Sequence, residues 1–349
     1  RSIHDLELKW QEATKGTAIR TAIIHGGVLR ASRIELLKNS KIVLMTPDVL
    51  HAWLLAGLNE PEIRRFLGAL QIVIIDEAHI YDGVFGTNMA YLLRRLRAVS
   101  GVNQVLASSA TIGEPVSFLK KLTGLECDLI GRQEDGTATP PKHVFLCQIS
   151  PRAAGHFVKS LVKELRENNV GRFLVFVDSR KKVEELASSV MKASGSGTEE
   201  DEPESVPEGE ETVDADQVID LAAQYAVLPY RAGYEEVDRA AIQTALTNGQ
   251  LRGVISTSAL ELGIDIGEIA LVVNLGTPST IKSFWQRAGR AGRKTEGYVL
   301  LLDTDGRVSG IGLRNYLEQP PESNWFYLDN EYLQYANALC AADERQQAV

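Results

Sequence analysis

The sequence is poor in the features that mark secreted, metal-stapled or membrane-spanning chains. It holds three cysteines in 349 residues, Cys127, Cys147 and Cys340, with no Cys-x-x-Cys pair. Neither a disulfide framework nor a cysteine-based zinc site has support, and the thiols read as free and buried. No apolar run approaches the roughly 18 residues of a membrane span, and no basic-then-apolar leader opens the chain. The chain therefore reads as cytoplasmic, with no membrane partner. Methionine is missing from the first position, where Arg1 stands, so the chain reads as a piece of something longer. No Gly-Lys dipeptide occurs anywhere, which leaves no G-x-x-x-x-G-K-[ST] phosphate loop. Basic residues are missing from one stretch: Glu199 to Asp216 holds ten acids and no Lys or Arg.

That last absence accounts for the net charge. The formal charge is −9, and setting the ten acids aside leaves about +1 on the remainder, so a nucleic-acid partner is not excluded. The stretch 193–216, rich in Gly, Ser, Pro and acid, has almost nothing to bury and reads as a disordered insertion, with a protein partner docking on it as the functional alternative.

What remains is ordinary globular material, 44% hydrophobic and 24% charged, long enough for two cores. Apolar strands alternate with amphipathic helices. "TAIIHGG", "KIVLMTPDVLHAWLL", "QIVIIDEAH" and "NQVLASSAT" make a first series, expected over 1–130. "GRQEDGTATPPK" reads as a linker at 131–141. "KHVFLCQI", "GRFLVFVDS", "YAVLPYRAG", "RGVISTSALELG" and "EIALVVNLG" make a second series, expected over 142–310. The fold class this implies is α/β, two doubly wound parallel-sheet lobes. In the tail 311–349, Tyr332, Leu333, Tyr335, Ala336 and Leu339 share one helical face, expected to lead into a further domain.

Particular residues stand out against this background. Ile72 to Ile75 read as a strand buried on both faces, with Asp76 and Glu77 at its C-terminal edge, where open α/β sheets bind ligands. Adjacent carboxylates there suit a magnesium-bound phosphate. Thr46 before Pro47 has the form of a helix N-cap with a first-turn proline, which alone explains both residues; a free hydroxyl at a helix start also suits a nucleic-acid phosphate. "HGG" at 25–27 offers backbone amides for the same purpose. Ser108 to Thr111 are explained by an ordinary polar turn. Ser258 and Glu261 have the spacing of a capping box, which leaves Gly263 and Asp265 unexplained. In "QRAGRAGR", Arg287, Arg290 and Arg293 recur every three residues around Gly289 and Gly292. Two helical glycines would cost roughly 1 kcal/mol each, so close approach to an anion is the expected reason for them.

"DEAH", "SAT", "STSALELGIDIG" and "QRAGRAGR", in that order, resemble motifs of superfamily two helicases over nearly the whole chain. "TPDVLH", "DEAHIYDGVFG" and "FWQRAGRAGR" look most like the branch of the large helicase-related proteins and the mitomycin-repair helicases. The resemblance implies two RecA-like lobes, the first incomplete, and ATP and Mg²⁺ as cofactors. It implies that Asp76 holds Mg²⁺, that Glu77 activates the attacking water, and that His79, Ser109 and Thr111 couple nucleotide to nucleic acid. Arg290 and Arg293 would be arginine fingers, Gln286 a γ-phosphate sensor, and Gly263 and Asp265 neighbours of the ribose and phosphates. Gly26, Gly27, Thr46, Arg231 and Thr257 would follow one strand of single-stranded or partly duplex DNA. The implied activity is ATP-dependent 3′ to 5′ movement in DNA repair.

The missing phosphate loop departs from that family. In "GTPSTIKS", Gly276 and Lys282 have the right spacing, but Ile281 replaces the second glycine, and a β-branched residue does not readily take positive φ. The expectation is a loop lost upstream of Arg1 and a fragment that does not hydrolyse ATP efficiently. An RNA remodeller on the same lobes and a catalytically dead nucleic-acid-binding scaffold are the alternatives.

Overall fold

A computed structural model describes residues 3–131, 133–137, 140–168, 171–192, 226–230, 236–261 and 266–348. The acidic stretch 193–216 lies outside these residues, as do Arg231, Gly263 and Asp265. The chain forms two compact units, Arg1–Asp135 with Glu322–Val349, and Gly136–Pro321.

The first unit holds two parallel strand pairs, β1 (Thr21–Ile24) with β2 (Ile42–Met45), and β3 (Ile72–Ile75) with β4 (Gln104–Ala107). Their core is Ile24, Leu37, Leu55, Ile75, Leu93 and Leu122, all nearly solvent-free. The helices Arg30–Asn39, Pro61–Gly68 and Gly83–Ser100 supply much of the cover. Strand β3 forms where the pattern places it but is not buried on both faces. Ile75 is buried, whereas Ile72 and Ile74 are 40% and 52% exposed, and Leu106 of β4 is 51% exposed. An apolar run with period-2 geometry presents alternate residues to opposite faces, and here only one face is covered.

The second unit is a six-stranded sheet, every pair parallel: β5 (Lys142–Gln148), β6 (Phe173–Phe176), β7 (Val227–Tyr230), β8 (Gly253–Ser256), β9 (Leu271–Leu275) and β10 (Gly297–Asp303). The order is β5-β10-β9-β6-β8-β7. Strand β10, from "GYVLLLD", extends the expected series and inserts between β5 and β9. Both faces are covered. Leu174, Phe176, Val254 and Val272 join one core, while Phe173, Val175, Ile255 and Val273 join the other. Gly253 is required here, because a Cβ on it would lie 2.2 Å from the Phe173 ring. This is the α/β, parallel-sheet architecture that the alternation of strands and helices implies.

The segment 322–349 belongs to the first unit, and the apolar face of its helix Glu331–Ala348 is largely exposed. Tyr332, Tyr335 and Leu339 are 85%, 67% and 55% exposed, whereas Asn337 and Glu344 are buried. Glu344 forms an ion pair with Arg95 of the helix Gly83–Ser100. The Arg95 guanidinium also donates to Asn337 Oδ1 at 3.2 Å and lies 3.0 Å from His51 Nδ1. Polar pairing therefore anchors this helix to the first unit. Among the described residues, no helix is long and apolar enough to cross a membrane.

Candidate functional site

The β3–β4 register aligns Ile75 with Ala107, so the residues that leave the two strands, Asp76 and Ser108, also face each other. The ladder continues into the turn through Ser108 N–H to Ile75 O at 2.9 Å and Ala78 N–H to Ser108 O at 2.8 Å. The Ser108 hydroxyl donates to Asp76 Oδ1. Asp76 Oδ2 is shielded from solvent and has no hydrogen-bond partner among the described residues. A carboxylate oxygen left without a donor in such a place is costly unless a ligand satisfies it.

Glu77 takes left-handed backbone angles, φ 51° and ψ 44°. A non-glycine residue there costs roughly 1–3 kcal/mol and marks strain held at a site. His79 is buried, and its Nδ1 accepts the Ala110 amide at 3.2 Å, so the neutral ring carries its proton on Nε2. Glu77 Oε2 lies 3.5 Å from the same Nδ1. One imidazole thus touches both the acidic turn and the "SAT" turn. Ser109 donates to Ala110 O within its own turn, and Thr111 is exposed. The sequence pattern singled out Ser109 and Thr111 and passed over Ser108. The equal lengths of β3 and β4 carried the missing signal, since they place Asp76 opposite Ser108.

Elsewhere in this unit, Thr46 caps the helix that starts at Pro47 through its carbonyl, which accepts from Val49 and Leu50 at 3.1 and 3.0 Å. Its side chain makes no capping bond, so the structural reading does not consume the hydroxyl. The loop at Gly26 and Gly27 is pinned from inside. Arg33, stacked over Trp53, donates to the carbonyls of His25, Gly26 and Val28. The Gly27 amide donates to His25 Nδ1 at 3.1 Å, and the Val28 amide to His25 O at 3.0 Å. The Gly27 amide, one of those expected to face a phosphate, is thus used within the loop. Tyr81 is buried beneath the acidic turn; burial first, and then the charge of Asp48, push its phenol above the ordinary value.

In the second unit the expected capping box does not form. Ser258–Leu260 is a short turn of 3₁₀ helix that follows Thr257, without a side-chain cap. Glu261 Oε1 instead accepts from Ser283 Oγ at 2.8 Å and Arg287 Nε at 2.7 Å. Arg287 also donates to Asn274 Oδ1 and lies over the Phe176 ring. A charged partner outcompetes a local cap, and Arg287 ties the helix Ile281–Ala288 to the sheet. Arg290 is buried and donates to Glu261 O at 2.6 Å, Arg293 is exposed, and Gln286 is half-buried.

One glycine of "QRAGRAGR", Gly292, answers to the fold. The helix ends at Ala288, and Gly292 has φ 59°; a Cβ there would lie 2.4 Å from Gly297 N. The close approach that Gly292 makes is to the Gly297 backbone. Lys142 holds the same loop by donating to Ala291 O at 2.6 Å and Gly292 O at 3.2 Å. Burial first, and then the charge of Arg293, push its ammonium below the ordinary value. The segment Gly276 to Lys282 joins β9 to the next helix, with Thr280 accepting from the Ser283 amide at that helix's start.

The sequence matches the family models for the DEAD/DEAH box helicase over residues 3–118 and the helicase conserved C-terminal domain over residues 207–295. It is 33% identical over 305 residues to the ATP-dependent helicase HRQ1 of Saccharomyces cerevisiae, covering 82% of this chain and 25% of that protein. It is 30% identical over 349 residues to the uncharacterized ATP-dependent helicase YprA of Bacillus subtilis, covering 94% of this chain and 42% of that protein. The fold resembles that of the DUF1998 helicase MrfA bound to DNA, with TM-score 0.81 and 27% identity over 98% of this chain and 44% of that one. The chain thus spans less than half the length of these relatives.

Proposed function

Because the chain belongs to the superfamily two helicases, with matches to both domains of the motor, we propose that it is the core of an ATP-dependent DNA translocase acting 3′ to 5′ in repair. The observation that carries this reading is the turn after β3, where a shielded, unpartnered Asp76 oxygen stands beside a backbone-strained Glu77.

The residues present fit a hard cation: Asp76 offers one oxygen to it while Ser108 fixes the other. Bound Mg²⁺ would neutralise charge on the nucleotide phosphates. Glu77 orients the attacking water and takes its proton. His79 senses that event, and the Ala110 amide it binds passes the change to Ser109 and Thr111. In the second unit, exposed Arg293 serves the γ-phosphate, with Arg290 and Gln286 beside it, and Gly263 and Asp265 serve the nucleotide. Thr46, Thr257, Gly26 and Arg231 follow the sugar-phosphate backbone of a single strand, with little sequence preference.

The lack of a Gly-Lys dipeptide favours one further reading, a scaffold that binds strands without turnover. The test measures strand-stimulated ATP hydrolysis by a polypeptide carrying this chain together with a phosphate loop, and by the 349-residue chain alone. The first should turn over ATP, with Glu77→Gln lowering kcat by about 10²-fold or more, and the second should remain at background. Strand binding without hydrolysis in both would establish the scaffold and refute the motor. Matched DNA and RNA strands compared at two salt concentrations distinguish a DNA from an RNA preference, since recognition of the 2′-hydroxyl survives screening.

A further inference from the structure

The segment that follows the second unit lies directly along the turn that follows Glu77. Asn324 is buried, and its Nδ2 donates to His79 O at 3.0 Å and Tyr81 O at 3.3 Å. The next residues continue the seam. The Trp325 amide donates to Asp82 Oδ1, the Gly83 amide to Trp325 O at 2.7 Å, and the Tyr327 amide to Thr87 Oγ1 at 2.8 Å. Tyr91 Oη closes it on Leu328 O at 2.6 Å. Phe326 packs against Phe118 with ring centroids 5.4 Å apart. A Cβ on Gly86 would lie 3.2 Å from the Phe326 ring and 2.6 Å from the Tyr81 carbonyl carbon, so the seam closes only with glycine at that position.

We propose that Asn324 is a positioning residue for ATP hydrolysis: its two donated hydrogen bonds fix the His79–Tyr81 turn, and through it the strained Glu77 and the His79–Ala110 contact. The argument is one of strain and donors. A left-handed Glu77 persists only if its surroundings over-determine it. On its N-terminal side, β3 and Ser108 hold the backbone. On its C-terminal side, the His79 and Tyr81 carbonyls would face a buried seam without donors if Asn324 were absent. Asn324 is reached only after the chain has passed through the whole second unit, so the acidic turn is held by a residue that follows the arginine motif in sequence. This inference rests on the proposed hydrolytic role of Glu77, and its test separates the two.

Asn324→Asp keeps the size of the side chain and removes both donors; Asn324→Ala removes size and donors together. Tyr332→Ala, at an 85% exposed position of the same segment, serves as the control. In the 349-residue chain, hydrogen exchange should accelerate about tenfold or more at Ile80, Tyr81 and Ala110 in both Asn324 variants. The β1–β2 amides and the Tyr332→Ala chain should be unchanged. In the polypeptide carrying the phosphate loop, kcat should fall about tenfold or more with KM for ATP within twofold, and Asp should be no better than Ala. Wild-type exchange in Asn324→Asp, or acceleration spread evenly over the first unit, would overturn the proposal, because Asn324 would then act by packing alone. If wild type hydrolyses no ATP, the function of Glu77 fails while the exchange result still decides whether Asn324 holds the turn.

Discussion

Glu344→Ala removes the anionic partner of a buried guanidinium. Arg95 is 7% exposed and Glu344 3%, and the carboxylate takes bonds from Arg95 Nε at 3.1 Å to each oxygen and from Nη2. The acceptors left to Arg95 are Asn337 Oδ1 and His51 Nδ1. Breaking a buried pair from one side costs about 3–5 kcal/mol, because the remaining charge stays desolvated. The helix Glu331–Ala348 carries three exposed apolar side chains and buries mainly polar ones, so little hydrophobic burial offsets that loss. The docking equilibrium of this helix should therefore fall by two to four powers of ten, about 1.4 kcal/mol per power. Urea unfolding followed with proteolysis of the helix measures this. The double substitution Arg95→Met with Glu344→Leu should recover most of the stability, since it leaves no buried charge. A loss below about 1 kcal/mol in Glu344→Ala, with the helix still protected, would refute the reasoning.

Two further outcomes follow from single groups. Asp303, fully buried at the end of β10, feels burial that raises its pKa, but hydrogen bonds from the Ser309 amide at 2.7 Å and the Thr277 hydroxyl at 3.2 Å outweigh it and hold the pKa at about 2, below the ordinary 3.8. A depressed carboxylate contributes its full stability above pH 3.8 and loses it as pH falls toward 2, so acid unfolding of the second unit should steepen in that window and Asp303→Asn should flatten it; an unchanged profile would exclude the group. Glu77→Gly should raise stability by about 1 kcal/mol by relieving positive φ, while ATP turnover is lost in the polypeptide carrying the phosphate loop, and thermal unfolding beside a hydrolysis assay of that polypeptide reads both; a destabilised variant would show that the strain is not there.

Much of this was legible in the sequence because the central strands of the second unit are short, mainly apolar runs bounded by turn signals, and such runs bury both faces of a parallel sheet. "FLVF" and "GVIS" are buried throughout, as that rule requires. "IVII" in the first unit obeys the same pattern yet leaves Ile72 and Ile74 in solvent, since a run cannot say whether a second layer covers it. Long-range polar choices were hidden for a related reason. Glu261 had a local partner by spacing in Ser258, but its carboxylate lies against Arg287 and Ser283, more than twenty residues away. The docking of the last helix through Arg95 and Glu344, which are 249 residues apart, was hidden in the same way. Periodicity scores a helix by how many apolar residues share a face; it carries no information about an ion pair formed with a residue 249 positions away.

The places where local rules fail are informative in themselves. A sequence specifies its fold when propensity, pattern and polar satisfaction agree, and natural chains break that agreement at functional positions. In the first unit two breaches fall on adjacent residues: Asp76 keeps an oxygen without a donor among the described residues, and Glu77 keeps a backbone conformation that favours glycine. Either alone could be incidental to packing. Together they lie at the C-terminal edge of a parallel strand, with Ser108 spent on fixing one carboxylate and Ala110 on fixing the neighbouring imidazole. The fold thus gives up stability at one turn while surrounding it with bonds that prevent relaxation. That arrangement is expected where a carboxylate must be held ready for a ligand before the ligand arrives.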